Sequence, residues 1–182
     1  MPDPDHPPLF TPRPSSQDEV AVQAWLDHVI IHYYRQLYCY ALSLTGHEAD
    51  AADITQQSAV KFSQNWSSIR EDGAIRAWLY TTLYREFLLF RRRTRKTVEF
   101  EETHLPVELY QVSPQELNAD GSTAMELLQR MDEPHRSVLS LFYIDDLSYR
   151  EIAEVLNIPA GTVMSRLSRA KDTLRTLLAP AL

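Results

Sequence analysis

Residues 145–178, DDLSYREIAEVLNIPAGTVMSRLSRAKDTLRTLL, read as two helices joined by a tight turn. Ser148 stands three residues before Glu151, the spacing of a capping box in which hydroxyl and carboxylate each satisfy a backbone N–H at the start of a helix. Ile152, Ala153, Val155 and Leu156 give that first helix an apolar stripe. Asn157 tolerates the left-handed conformation that ends a helix, and Pro159 suits the first position of the next one, where its missing N–H costs nothing. On the second helix Val163, Leu167, Ala170, Leu174 and Leu177 recur at steps of four, three, four and three, a single buried stripe. Thr162, Ser165, Ser168 and Arg169 face the other way, with Arg166 and Lys171 on the flanks. Short hydroxyls let a helix approach base edges, and arginine holds guanine bidentately or clamps a phosphate. The layout is that of a helix-turn-helix with one helix placed in the major groove of DNA. The alternative is a solvated amphipathic helix in some other bundle.

The bulk numbers bound what surrounds this element. A chain of 182 residues with 44% hydrophobic and 24% charged residues is an ordinary globular protein of one or two domains. No apolar run approaches the roughly 18 residues that span a membrane, so no membrane insertion is expected. The N-terminal MPDPDHPPLFTPRPSS carries six prolines in its first fourteen residues and has no signal-peptide pattern, so residues 1–17 read as a disordered proline-rich tail. The single cysteine, Cys39, excludes an intrachain disulfide and points to the cytoplasm.

A net charge of −7 looks wrong for a DNA binder until its distribution is read. Residues 91–96, RRRTRK, hold five basic side chains in six, whereas residues 98–133 hold nine acids against Arg130 alone. That asymmetry predicts a basic surface, an acidic connector and a partner that meets both.

The rest of the chain reads as helical. A first helix is expected from about Asp18 to Thr45, with Val22, Leu26, Val29, Tyr33, Leu37, Tyr40 and Leu44 as its buried stripe and Gly46 as its end. A second is expected from about Glu48 to Trp66, a loop over 67–73, and a third from about Ala74 to Arg93. Residues 97–121 read as an acidic linker in which Ser113 to Glu116 form another capping box, and Asp120-Gly121-Ser122 interrupt any helix there. Helices from about Thr123 to Met131 and from Pro134 to Tyr143 lead into the helix-turn-helix. The predicted fold is all-α, two small helical domains (18–96 and 122–182) joined by the acidic linker.

Both halves resemble one family. LSYREIAEVLNIPAGTVMSRLSRAKDTL is similar to region 4 of bacterial group IV (extracytoplasmic-function, ECF) RNA polymerase sigma factors of the sigma-70 family. YALSLTGHEADAADITQQ and SIREDGAIRAWLYTTLYREFLLFRRR are similar to region 2. The resemblance implies a non-enzymatic subunit that directs promoter-specific initiation, with core RNA polymerase and promoter DNA as partners and no cofactor. Region 2 is expected to dock on the β′ clamp and to melt and read the −10 element, region 4 to bind the −35 element and meet the β flap, and the acidic linker to thread through the polymerase. Relatives are commonly held by an anti-sigma factor. Two alternatives remain: a helix-turn-helix regulator that does not replace a sigma factor, and a polymerase-binding regulator without promoter function.

Carried onto this chain, the resemblance assigns Asp50, Asp53, Gln56 and Gln57 to clamp binding. The family commonly has acids where Ala52 and Gln57 stand, which predicts weaker docking, and phosphorylation of Thr55 beside this deficit is a candidate switch. For the −10 strand the candidates are Arg70, Arg76, Tyr80, Tyr84, Arg85, Arg91, Arg92 and Arg93, cations for phosphates and rings for unstacked bases, with Trp78 and Leu79 read as core. Arg85 replaces a common asparagine. For the −35 groove they are Thr162, Ser165, Arg166 and Arg169, with Tyr149 and Arg150 on phosphates and Met164 where a Lys or Arg is usual. Leu139, Phe142 and Leu178 are read as core, with flap contact as the alternative. His28, His32 and Cys39 share one shoulder of the first helix but lack a fourth ligand, so no metal site is expected. No triad, glycine-rich phosphate loop or paired-carboxylate cleft stands out, and catalysis is not expected.

Overall fold

The structure is a computed structural model, and it describes residues 13–97 and 119–178. Within them run seven α-helices and no strand: α1 (Glu19–Thr45), α2 (Glu48–Asn65), α3 (Ala74–Thr97), α4 (Ala119–Gln129), α5 (Glu133–Tyr143), α6 (Tyr149–Leu156) and α7 (Ala160–Leu178). A short 3-10 turn, Trp66–Ser68, opens the loop between α2 and α3. The capping box of Ser113 and most of the acidic linker lie outside the described residues. The predicted break at Asp120 to Ser122 is not one, because α4 begins at Ala119 and continues through them.

Local signals set the helix ends. Asp18 Oδ1 accepts the Ala21 N–H at 3.0 Å and starts α1. Gly46, at φ +74°, ends it and returns its N–H to the Leu42 carbonyl. Ser148 and Glu151 form the predicted capping box at α6, with the Ser148 N–H reaching a Glu151 carboxylate oxygen at 2.8 Å. Asn157 ends α6 at φ +52°. Asp146, also at φ +52°, makes the turn between α5 and α6, a conformation its short polar side chain tolerates.

α1 is the spine. Leu26, Val29, Tyr33, Leu37, Tyr40 and Leu44 are buried as their spacing predicts. Trp25, Tyr38, Ala41 and Leu42 are buried as well. A surface that wide is needed because α1 packs on α2 and α3 and also on α4 and α5. α2 presents Ala51, Ile54, Thr55, Ser58 and Phe62 as one buried stripe. α6 and α7 pack on each other and on α5, with Ile152, Val155, Val163, Leu167 and Ala170 inside. The two halves share one continuous apolar core, since α3 also packs on α6.

Candidate nucleic-acid interface

The outer face of α7 is open. Ser165, Ser168 and Arg169 are exposed, and Thr162 and Arg166 are half-exposed. Ser165 Oγ donates to the Thr162 carbonyl at 3.0 Å, which ties its hydroxyl to the helix for now. Val163, Leu167 and Ala170 fix the opposite stripe in the core, so the polar stripe is held rigidly outward. Lys171 points elsewhere: its ammonium lies 5.0 Å from the centre of the Phe142 ring and 5.6 Å from that of Tyr143. Tyr149 and Arg150 are exposed at the start of α6, with Arg150 Nε 3.4 Å from Glu154. Met164 is 54% exposed, an uncharged side chain on the presented face.

The expected −10 residues divide into two sets. Arg70 on the loop and Arg85, Arg92 and Arg93 on α3 are exposed. Arg76, Tyr80, Tyr84 and Arg91 are instead engaged by groups of α5, the α5–α6 turn and α6. Arg76 is 8% exposed and donates to the Asp145 carbonyl, and it stands 3.9 Å from the Glu151 carboxylate. Tyr80 is 1% exposed, its hydroxyl donating to Asp145 Oδ1 at 2.5 Å. The Tyr84 hydroxyl donates to Glu133 Oε1 at 2.9 Å, and Arg91 Nη1 donates to Glu133 Oε2 at 2.7 Å. Spacing of four along α3 lines up Arg76, Tyr80 and Tyr84 on one side, and that side is where α5, the α5–α6 turn and α6 sit.

Further contacts join the halves at the end of α1. Gln129 Nε2 donates to the carbonyls of Leu42 and Ser43 at 3.2 and 2.8 Å, and Arg136 Nη2 donates to that of Leu44 at 3.1 Å. These are carbonyls of the last turn of α1, of which Leu42 also accepts the capping Gly46 N–H, and a cation there suits the helix dipole. Arg136 Nη1 donates to Gln129 Oε1 at 2.9 Å and fixes the pair.

Burial shapes the acids and phenols of this seam. Asp145, only 3% exposed, has its carboxyl raised to about 7 by desolvation, against which the Tyr80 hydrogen bond and the Arg76 charge pull downward. Desolvation also pushes Tyr80 and Tyr84 well up, helped by the neighbouring Asp145 and Glu133 charges. The Arg91 and Arg166 charges act on Tyr84 in the opposite sense.

The clamp candidates lie on the other side of the bundle. Asp53, Gln56 and Gln57 are exposed and line a shallow groove of about 530 Å³ together with Val60, Lys61 and Arg93. Lys61 is tied to the buried Glu86 at its floor. Asp50 is half-exposed at the edge of this face, and Ala52 is half-buried against the core. Thr55 does not belong to this surface. It is 1% exposed and donates to the Ala51 carbonyl at 2.8 Å, and Ser58 does the same to Ile54. The phosphorylation expectation at Thr55 is therefore withdrawn, because no kinase reaches a hydroxyl inside the helix packing.

Leu79, Leu139 and half-buried Trp78 pack in the core, Phe142 is half-buried, and Leu178 is exposed. No group of three or more metal-binding side chains gathers among the described residues, so His28, His32 and Cys39 do not converge. The structure adds one residue that the sequence reading passed over. Arg13 lies against the Trp25 and Trp66 rings, 5.7 and 5.1 Å from their centres, and donates to the carbonyls of Trp66 and Ile69. It also stands 3.9 Å from Asp72. The residues just before α1 are thus tied to the loop that carries Arg70.

Comparison with known proteins decides the family. The Sigma-70 region 2 model matches residues 29–97, and the Sigma-70, region 4 model matches residues 123–174. The ECF RNA polymerase sigma factor SigL of Mycobacterium tuberculosis is 33% identical over 145 residues, covering 78% of this chain and 82% of that protein. This chain belongs to the ECF sigma factors of RNA polymerase. The ECF RNA polymerase sigma factor SigE of Mycolicibacterium smegmatis is 29% identical over 167 residues, spanning 89% of this chain and 64% of that longer relative. Among solved structures, the sigma factor RpoE from Bartonella quintana, crystallised with the anti-sigma factor NepR, superposes with a TM-score of 0.69. It covers 84% of this chain and 95% of that one at 24% identity, a likeness of fold. The protein is a sigma factor that acts with core RNA polymerase and promoter DNA in promoter-specific initiation, and sigma factors as a class are non-catalytic initiation factors. Among the described residues no helix is long and apolar enough to cross a membrane.

Proposed function

We propose that residues 18–96 act as region 2 and residues 122–182 as region 4, joined by an acidic linker over 97–121. Asp50, Asp53, Gln56 and Gln57 meet the β′ clamp of core polymerase. Arg70, Arg76, Tyr80, Tyr84, Arg85 and Arg91 to Arg93 handle the −10 strand. Thr162, Ser165, Arg166 and Arg169 enter the −35 major groove, and exposed Leu178 reaches the β flap. The chain itself carries no catalytic activity, works in the cytoplasm, and is a candidate for control by an anti-sigma factor.

The observation that carries this reading is the α7 face. A capped helix-turn-helix, locked by its own core, holds hydroxyls and arginines outward at the spacing needed to read base edges. Run-off transcription with purified core polymerase tests it. Wild type should start at a defined promoter, and Arg169→Ala should lose about tenfold in −35-dependent initiation, the effect of one good base contact. Polymerase binding without any initiation would instead identify a regulator that has lost promoter function. DNA binding without polymerase binding would identify a separate helix-turn-helix regulator.

A further inference from the structure

Arg13 ties together parts of the chain that are far apart in sequence. Its guanidinium lies 5.7 Å from the centre of the Trp25 ring and 5.1 Å from that of Trp66. Nη2 donates to the Trp66 carbonyl and Nη1 to the Ile69 carbonyl, 53 and 56 positions along the chain. Asp72 Oδ1 stands 3.9 Å from Nη1. A planar fork of donors can meet two carbonyls while its faces lie on aromatic rings, and lysine has neither the fork nor the plane.

What Arg13 holds is the loop between α2 and α3. The 3-10 turn Trp66–Ser68 closes with the Ile69 N–H on the Trp66 carbonyl at 3.2 Å, and a turn that short holds weakly by itself. Arg13 adds a second donor to that carbonyl and another to the carbonyl three residues on. At the far end of the loop the Glu71 and Asp72 carbonyls accept the Ala74 and Ile75 N–H groups of α3 at 3.0 and 3.1 Å. Arg70 stands between these two anchors, exposed, beside buried Ile69. One anchor is supplied by the helix that follows the loop, the other by a residue ahead of α1.

We propose that Arg13 is a positioning residue for −10 recognition: by fastening the Trp66–Ile69 backbone it fixes where Arg70 meets the strand. This rests on the −10 assignment made above. Arg13 is not itself presented to a phosphate, because both Nη groups are on backbone carbonyls and its side chain is 22% exposed. Arg13 and Trp25 both precede residue 29, where the match to region 2 begins, so this anchor comes from outside the matched region. A loop fixed before the strand arrives need not be ordered by it, and the saving appears as tighter and more selective binding.

The full-length holoenzyme tests this by a double-mutant cycle at a promoter it initiates from. Arg70→Ala and Arg13→Ala should each lower the preference for an intact over a substituted −10 element by about tenfold, and the double variant should be no worse than Arg70→Ala, because Arg13 then has nothing left to position. Arg13→Lys keeps the charge without the fork, so it should fall near Arg13→Ala, and it carries the cycle if circular dichroism shows Arg13→Ala unfolded. Hydrogen exchange on the free protein, read by mass spectrometry, should quicken over residues 67–73 in both Arg13 variants and stay as in wild type over α2. Polymerase affinity in a pull-down should not change, since none of the Arg13 contacts involves a residue assigned to the clamp. Unchanged loop exchange overturns the proposal. So does wild-type preference in Arg13→Lys, or a double variant whose loss is the product of the single losses, which makes Arg13 a separate contact. Failure of the −10 assignment shows differently: Arg70→Ala then keeps the wild-type preference, and the proposal falls with it whatever the loop exchange.

Discussion

The α2 and α3 faces of region 2 belong to one bundle and differ in what covers them. The α2 face, with Asp53, Gln56 and Gln57, lies open beside a shallow groove. The α3 face, with Arg76 and Tyr80, is buried under the α5–α6 turn and α6. The proposed polymerase-docking side is therefore accessible in the arrangement in which the proposed promoter-reading side is not. The difference argues for an order of assembly, with polymerase first and promoter afterwards.

The comparison can be broken at both faces together or at one alone. The largest effect is expected from Phe62→Ala. Phe62 is fully buried between Trp25 and Trp78, and its loss should cost about 3–5 kcal/mol. A thermal melt should show region 2 destabilised, with polymerase binding and initiation falling in parallel. Glu133→Ala should be smaller and selective. It removes a charged acceptor from Tyr84 and Arg91, worth about 1.5–3 kcal/mol, and should open the α3 face while leaving clamp affinity unchanged in a polymerase pull-down.

A third effect depends on pH. Asp145, packed against α3, has a pKa of about 7 against an ordinary 3.8, because burial penalises its charge. The groups facing it are Arg76 and Tyr80 from α3 and Cys39 and Tyr40 from α1. Below the ordinary value the carboxyl is neutral whether or not it is packed, and packing bears no penalty. As pH rises from there through the packed value, the unpacked carboxyl ionises first and the packing weakens. Between about pH 6 and 8 the unpacked fraction should increase by up to roughly tenfold, and Asp145→Asn should flatten the dependence in scattering measurements. The smallest effect belongs to the open face. Asp53→Ala should weaken polymerase binding by under about 1 kcal/mol, as an exposed charge does, and should leave compaction unchanged.

Much of this architecture is legible locally. The capping box at Ser148, the αL end at Asn157 and the α7 stripe depend on residues within a turn or two of each other, and each appears where its pattern places it, the stripe buried from Val163 to Ala170 and half-buried at Leu174 and Leu177. The α1 stripe is legible too, but it is only part of what α1 buries. Trp25, Tyr38, Ala41 and Leu42 are buried as well because α1 packs on four other helices, and no periodicity within α1 announces that. Thr55 carried a signal that its chemistry obscured: Ala51, Ile54, Thr55, Ser58 and Phe62 follow helical spacing, and a hydroxyl that bonds its own helix is tolerated inside. Arg76 and Tyr80 have the residue types of a strand-binding face. Their burial depends on Asp145, more than sixty positions away, and spacing does not reach that far. Arg13 was missed because it stands in a proline-rich stretch ahead of the first helical pattern.

The stack of Arg13 on Trp25 and Trp66 also makes region 2 optically self-reporting. All three tryptophans of the chain lie in region 2, Trp25 and Trp78 against Phe62 and Trp66 against Trp25, and region 4 has none. A guanidinium on an indole face changes its emission, so unlabelled protein signals movement of the loop that carries Arg70 through its own fluorescence. Loop rearrangement on polymerase or DNA can then be followed separately from changes at the seam between the two halves, whose aromatic groups are tyrosines.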